Sequence, residues 1–222
     1  MTEDVSRPSS TTSDEPKASE DNSNGLAILD FLFTFSLGGG LVPEAFGGHG
    51  LLSEQWVQSM ARPSSEELGE ALTLLFGILT LTFSWYGYHE SIRQRPHRSG
   101  TWQGFVRFQI DVVLTLLYGA LLLMMRMPEW AMITGAIIYL LYTVWDCVAG
   151  IEYRDYMPRG GWKLSLGGFT TFSLLSLMVW YCFIPAIASA LIAILINIMY
   201  RVMKITGEAD CQRLAAKPPT AI

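Results

Sequence analysis

Residues 164–203 read LSLGGFTTFSLLSLMVWYCFIPAIASALIAILINIMYRVM, a run of 40 residues in which Arg201 is the only charged side chain. About 20 apolar residues in a helix cross a hydrocarbon core that is about 30 Å thick. The run is therefore long enough for two crossings. Pro185 lies near its midpoint and lacks the amide proton that a continuing helix needs. The stretch predicts two transmembrane helices joined by a short turn at residues 183–185.

The composition of the whole chain is typical of a membrane protein. Apolar residues make up 50% and charged residues 16% of its 222 residues, whereas a soluble domain carries about 25% charged residues. Six acidic and two basic residues within positions 1–25 account for most of the formal net charge of −5. Because no sustained basic tract is present, we expect the lipid bilayer and not nucleic acid as a partner.

Further apolar runs predict four more spans, so the expected fold is all-α, a polytopic membrane bundle of about six transmembrane helices. We expect a disordered acidic tail at residues 1–24, a transmembrane helical domain at 25–204 and a short cytoplasmic tail at 205–222. Glycines at 38–40 and Pro43 interrupt the first span, so the sequence leaves open whether it crosses fully. The six predicted spans are 26–42, 68–88, 105–125, 131–149 and two within 164–203.

Polar motifs mark the predicted helix boundaries. Ser64 and Glu67 have the spacing of a capping box, in which each side chain accepts from the backbone of the other residue. Pro128, in Arg126-Met127-Pro128-Glu129, predicts a tight connection between the third and fourth spans. The segment 89–101 is too polar to enter lipid and is expected to be a loop.

The distribution of basic residues predicts the orientation of the chain, because lysines and arginines near membrane spans are retained in the cytoplasm. With six spans and a cytoplasmic N-terminus, 13 of the 15 lysines and arginines lie on the inner side. Only Arg62 and Arg126 then lie outside. The expected topology is that of a multi-pass membrane protein with both termini in the cytoplasm. The absence of organelle-targeting features suggests a bacterial inner membrane.

Polar residues within the spans are the candidates for an ion path or a buried polar cluster. A charge at the centre of a span costs about 2.5–3.5 kcal/mol on insertion scales, so each one needs an explanation. Arg107 and Asp111 are four residues apart and are expected to pair on one helix face. The candidates are Asp30, Ser36, His89, Arg107, Asp111, Asp146 and Asn197.

Two interpretations of these residues remain open. Stripes of small and hydroxyl-bearing residues along the second, fourth and sixth spans are typical of faces where membrane helices pack closely. Alternatively, the stripes of spans two to four converge on a hydrated vestibule at the inner side, where Arg107, Asp111, Asp146 and His89 set the field for an ion or proton.

Function is less constrained than fold. The three cysteines and three histidines lack ligand spacing and no catalytic motif is present, so we predict no enzyme, cofactor or metal site. The leading hypothesis is a small ion channel or transporter subunit that forms a homo-oligomer and handles a monovalent cation or proton. The alternative is a non-catalytic membrane scaffold or effector that recruits partners through its tails and loops. An intramembrane enzyme of unrecognised type ranks last.

Two segments carry a family resemblance. Phe35-Ser36 in the first span, and the aromatic residues followed by His89 at residues 83–89, resemble segments of the six-helix potassium channels of the lysosomal and prokaryotic type. That family carries Arg-x-x-x-Phe-Ser-Asp in its first helix, whereas here Phe31 and Leu37 stand at the Arg and Asp positions. The resemblance implies a six-span channel in which the first helix lines the pore and Phe35 and Ser36 hold the helices together.

Overall fold

The computed structural model describes residues 27–35, 38, 63–98, 100–124, 126–153 and 161–215, with the backbone alone at 94, 161 and 207–215. Six helices and no strand occur in these ranges, which confirms the predicted all-α fold for this part of the chain. The predicted tail at 1–24 lies outside it. The helices are α1 (27–35), α2 (Ser65–Gln94), α3 (Trp102–Leu123), α4 (Pro128–Glu152), α5 (Gly161–Trp180) and α6 (Ala186–Ala215).

Four of the helices contain segments that are long and apolar enough to cross a membrane, namely Ser65–Arg93, Trp102–Leu123, Pro128–Glu152 and Ala186–Thr206. A membrane-embedded protein is therefore supported. The fifth predicted span corresponds to α5, Gly161–Trp180, which is not among these four helices. Only nine consecutive residues of the first predicted span, 27–35, are described. A total of six spans stays a prediction.

The predicted helix boundaries at Ser64, Pro128 and Pro185 are confirmed. Ser64 Oγ accepts from the Glu67 amide at 3.3 Å, and Glu67 Oε2 accepts from the Ser64 amide at 2.7 Å, which completes the capping box. Pro128 is the first residue of α4. Residues 181–185 form the turn between α5 and α6, where Cys182 adopts a left-handed backbone conformation with φ of 56°.

Helices α2 to α6 run antiparallel to their neighbours in sequence. The amide of Arg98, just after α2, donates to Glu152 at the end of α4 at 2.9 Å, and Ser165 near the start of α5 bonds to Asp146. At the opposite end of the bundle, Arg126 lies 3.6 Å from Glu70. We call the end of the bundle that contains Arg98, Glu152 and Ser165 the basic end. It contains the described basic residues Arg93, Arg95, Arg98, Arg107, Lys163, Arg201 and Lys204.

The polar and small-residue stripes of α2 and α6 face the interior of the bundle. Thr73, Thr80 and Ser84 are buried along α2, and Ala190 and Ala193 are fully buried along α6. These small side chains let the two helices approach closely. The stripes of α2 and α6 therefore lie inside the bundle, and Ser84 of the α2 stripe also lines the cavity described below.

Three helices end later than the sequence predicts. The second span is expected to end at residue 88 with a loop at 89–101, yet α2 continues to Gln94, so the first six residues of the predicted loop are helical. The fourth span was expected to end at Ala149, yet α4 includes Glu152 because this carboxylate is buried against Arg107. The boundary placed between residues 204 and 205 falls inside α6, which continues to Ala215. The extension of α4 brings the charged side chain of Glu152 from an expected loop into the bundle.

Candidate functional site

A cavity of about 350 Å³ lies inside the bundle at the basic end. Residues of α2, α3, α4 and α6 form most of its wall, and Phe33 of α1 closes one side. Five tyrosines contribute aromatic rings and hydroxyl groups. Its charged wall residues are Glu90, Arg93, Arg95, Asp111, Arg201 and Lys204, and its tyrosines are Tyr86, Tyr88, Tyr118, Tyr142 and Tyr200.

Arg107 does not pair with Asp111, so that expectation from the sequence is wrong. Its guanidinium contacts the carboxylate of Glu152 at 2.5 Å, and the side chains of both residues are only 1% exposed. The guanidinium also lies over the ring of Trp145, 4.6 Å from its centroid. Glu152 accepts from the amide of Arg98 as well. The pair is a structural link between α3, α4 and the segment that follows α2.

Asp111 faces His97 instead. Nε2 of His97 lies 3.2 Å from Oδ2 of Asp111, and both side chains are largely buried. His97 belongs to the loop predicted at residues 89–101, and the sequence analysis assigned it no role. Four residues were predicted to surround an inner vestibule, namely Arg107, Asp111, Asp146 and His89. Of these, Asp111 alone lines the cavity.

Asp146 is buried behind the cavity wall and connects three helices. It accepts from Ser165 Oγ of α5 at 2.8 Å and lies 3.4 Å from Lys204 Nζ of α6. Ser165 in turn contacts the hydroxyl of Tyr200 at 3.0 Å. Asp146 therefore partly neutralises Lys204, a cation of the cavity wall, and makes no salt bridge to Arg107.

Tyrosine hydroxyls extend the polar surface from the cavity toward the middle of the bundle. Tyr142 contacts Ser84 and lies 2.7 Å from the hydroxyl of Tyr118. Its ring stacks on Tyr200, with centroids 5.9 Å apart and planes at 5°. Tyr142 therefore joins α2, α3, α4 and α6 at the inner limit of the cavity.

Asn197 lies deeper and does not line the cavity. Its amide nitrogen donates to Thr80 Oγ1 at 3.0 Å, and its amide oxygen accepts from the hydroxyl of Tyr139 at 3.3 Å. These bonds cross from α6 to α2 and α4. Asn197 therefore serves as a buried polar link between helices, a common use of such residues in membranes.

Asp30 and His89 form a contact between α1 and α2. His89 Nε2 lies 2.8 Å from Asp30 Oδ1, and Trp85 donates to the same oxygen at 3.2 Å. Both residues stand beside the cavity rather than in its wall. Ser36, the remaining candidate, lies outside the described residues.

Beyond the cavity, the interior toward the opposite end is apolar. Phe76 and Phe172 stack with centroids 5.4 Å apart, and Tyr139 packs on the other face of this pair. These rings belong to a layer of buried side chains that also contains Leu121, Leu122, Met132 and Ile138. Access from solvent is therefore easier from the basic end than from the opposite end.

Two basic residues of α6 that complete the site are not among the candidates predicted from the sequence. Arg201 and Lys204 were counted only as cytoplasmic charges that fix the orientation, yet both lie in the cavity wall. Their spacing of three residues places them on one helix face. That spacing, combined with the two-span interpretation of residues 164–203, was the signal available for finding them.

The resemblance to potassium channels rests on few described residues. Phe35 is an exposed residue of α1 whose ring stacks on Phe31, with centroids 6.4 Å apart. Membership of that channel family stays a prediction. No family model, no curated protein and no solved structure matches this chain.

Proposed function

We propose that this chain is a subunit of a small ion transporter or channel that admits ions through the cavity at the basic end. The observation that carries the proposal is the 350 Å³ cavity itself. Six charged residues line it, and the surrounding helices are long enough to span a membrane. Charges in such a bundle are costly, and when present they commonly mark ion pathways. A plain packing interface has no need for a charged cavity.

The arrangement of the polar side chains supports a path that narrows toward the middle of the bundle. Exposed Arg93 and half-buried Arg95 line the cavity at the basic end, and Tyr118 and Tyr142 lie at its inner limit. The apolar layer around Phe76 and Phe172 then separates the cavity from the opposite end. Transport in this scheme requires movement of that layer, or a path completed by further copies in a homo-oligomer.

The proposed orientation places the basic end in the cytoplasm, with six crossings and both termini inside. Reporter domains fused after residues 98, 128 and 158 test it. We expect the fusions at 98 and 158 to report from the cytoplasm and the fusion at 128 from the other side, because basic segments stay inside. Three fusions reporting from the same side would contradict the orientation.

Asp146→Asn is expected to change ion flux through liposomes that contain the purified protein. The substitution removes the negative charge that lies 3.4 Å from Lys204 and so makes the potential beside the cavity more positive. Such a change contributes on the order of 1 kcal/mol in a hydrated site, a factor of roughly five in rate. Flux is measured with fluorescent indicators for common cations and anions.

Glu129→Gln provides the matched control, since Glu129 lies at the opposite end of the same helix. It is expected to leave flux unchanged. Elution as a single species in size-exclusion chromatography verifies folding of each variant. Absence of flux in the wild-type protein for every ion tested would contradict transport and favour the alternative of a membrane scaffold.

A further inference from the structure

We infer that the cavity at the basic end binds a phosphate group and that Arg201 holds it. This inference deepens the proposed function by naming the class of ligand, and it rests on that function only for the step from binding to transport. The charge of the wall points to an anion, because four basic residues face two acidic ones. The sequence-based expectation of a monovalent cation or proton fits this wall less well.

The cations of the wall differ in how they are neutralised. Arg93 lies 3.0 Å from Glu90, and Lys204 lies 3.4 Å from Asp146. Arg201, by contrast, has no hydrogen bond or ion pair to any residue in the described ranges. A guanidinium carries five N–H donors, and a partly buried one without an anion is costly. Arg201 therefore presents unused donors and an uncompensated charge to the cavity.

The guanidinium of Arg201 occupies the space left by the missing side chain of Gly87. A Cβ atom at position 87 would lie 2.3 Å from Nη1 and 2.6 Å from Nη2 of Arg201, both far inside van der Waals contact. The guanidinium thus rests directly against the backbone of α2. Any larger residue at position 87 would require the guanidinium to shift from this position.

A second unused donor supports the same ligand. Ser91 lines the cavity one turn after Gly87, and its hydroxyl is buried without a hydrogen-bond partner in the described part of the chain. A phosphate oxygen accepts readily from both a hydroxyl and a guanidinium, whose planar fork matches two such oxygens at once. A cation could be coordinated by the hydroxyl oxygen, but it would leave the donors of the guanidinium unused.

The phosphate group has two sources, and the shape of the cavity admits both. Exposed Arg93 connects the wall to solvent at the basic end, so a free phosphate ion can enter there. Tyr86 and Ile205 are wall residues that are also exposed on the outer surface of α2 and α6. A phospholipid head group can reach the cavity between these helices, with its acyl chains remaining in the bilayer.

The experiment measures binding without measuring flux. In one arm, inorganic phosphate is titrated into purified full-length protein in a phosphate-free maltoside detergent, and the fluorescence of its tryptophans, including Trp145 in the wall, reports binding. In the other arm, phosphatidylglycerol is added to delipidated protein and bound lipid is counted by native mass spectrometry. Saturable binding in either arm is expected, and the arm that shows it identifies the source.

Three substitutions test the assignment to Arg201. We expect Arg201→Gln to weaken binding about tenfold or more, since it removes charge-assisted hydrogen bonds. Gly87→Ala keeps every charge but moves the guanidinium, so it is expected to weaken binding by at least roughly threefold. Lys163→Gln removes an exposed charge of the same end outside the wall, and its binding is expected to stay within about twofold of wild type.

Each outcome decides one of the two proposals. Binding that is absent in both arms, or equal in wild type and Arg201→Gln, overturns the phosphate site. Binding that depends on Arg201 in a protein without ion flux supports the site and overturns transport. If the protein conducts ions but its phosphate binding does not depend on Arg201, transport is supported and the phosphate site is overturned. Folding of Arg201→Gln is expected to persist, because the guanidinium has no partner in the described ranges to lose.

Discussion

Glu152→Gln is expected to lower the free energy of unfolding by about 3–5 kcal/mol, because it leaves the charge of Arg107 buried without a counterion. Both side chains of this pair are 1% exposed, so water cannot replace the lost carboxylate. Glutamine keeps the shape of the residue and an oxygen that accepts from the Arg98 amide. The effect therefore isolates the charge. Unfolding in mixed detergent and denaturant micelles, followed by circular dichroism, measures it.

The pair of Arg126 and Glu70 at the opposite end supplies a matched control. Its atoms lie 3.6 Å apart and the Arg126 side chain is 53% exposed, so Arg126→Gln is expected to cost less than about 1 kcal/mol. Adding Arg107→Leu to Glu152→Gln should recover part of the lost stability, since it removes the uncompensated charge. Equal destabilisation by Glu152→Gln and Arg126→Gln would contradict a desolvated pair.

Apolar length and helix-boundary chemistry were sufficient to predict most of the helices. Four predicted spans agree with described helices of membrane-spanning length, and the turn at Pro185 agrees as well. Each of these features depends on a few neighbouring residues. Local sequence therefore carries the information, and no knowledge of tertiary contacts is needed.

The partners of the buried charges depend on contacts between distant segments and could not be predicted. Asp111 is four residues from Arg107, and this spacing favours a pair on an isolated helix. In the bundle, Glu152 reaches Arg107 from a position 45 residues away, and His97 occupies the side of Asp111. Glu152 had been assigned to a loop because it is charged, although burial against Arg107 makes a helical position acceptable. A single sequence cannot choose between local and distant partners.

The same limit explains why the cavity was predicted only in part. Its position at the cytoplasmic side of the predicted bundle followed from the polar stripes, and Asp111 was identified. Arg201 lies in the predicted sixth span and Lys204 directly follows it, yet the sequence indicates for both only the usual role of basic residues near span ends, which is to fix orientation. What the sequence does not show is that this face of α6 packs against α2, where the guanidinium of Arg201 lies against the backbone at Gly87.

Gly168→Ala is expected to destabilise the bundle by about 1–3 kcal/mol, as overpacking of a filled core does. A Cβ atom at position 168 would lie 2.3 Å from Cδ1 of Tyr139. That ring cannot retreat, because it stacks on Phe172 at 5.0 Å and meets Tyr200 at 4.9 Å. Displacement of these rings would also disturb the tyrosine wall of the cavity. Thermal unfolding in detergent, measured by circular dichroism, gives the change.

The neighbouring Gly167 provides a control that differs by one position on the same helix. A Cβ atom there would have no heavy atom within 4 Å in the described structure, so Gly167→Ala adds a methyl group without a clash. Alanine favours the helix over glycine by about 0.5–1 kcal/mol, and this variant is expected to be as stable as wild type or slightly more stable. Because both substitutions change the helix propensity of α5 equally, their difference measures the packing of Tyr139 against α5. Equal stabilities for the two variants would mean that α5 does not pack against α4 at this position, and the inner limit of the cavity would then lack its support.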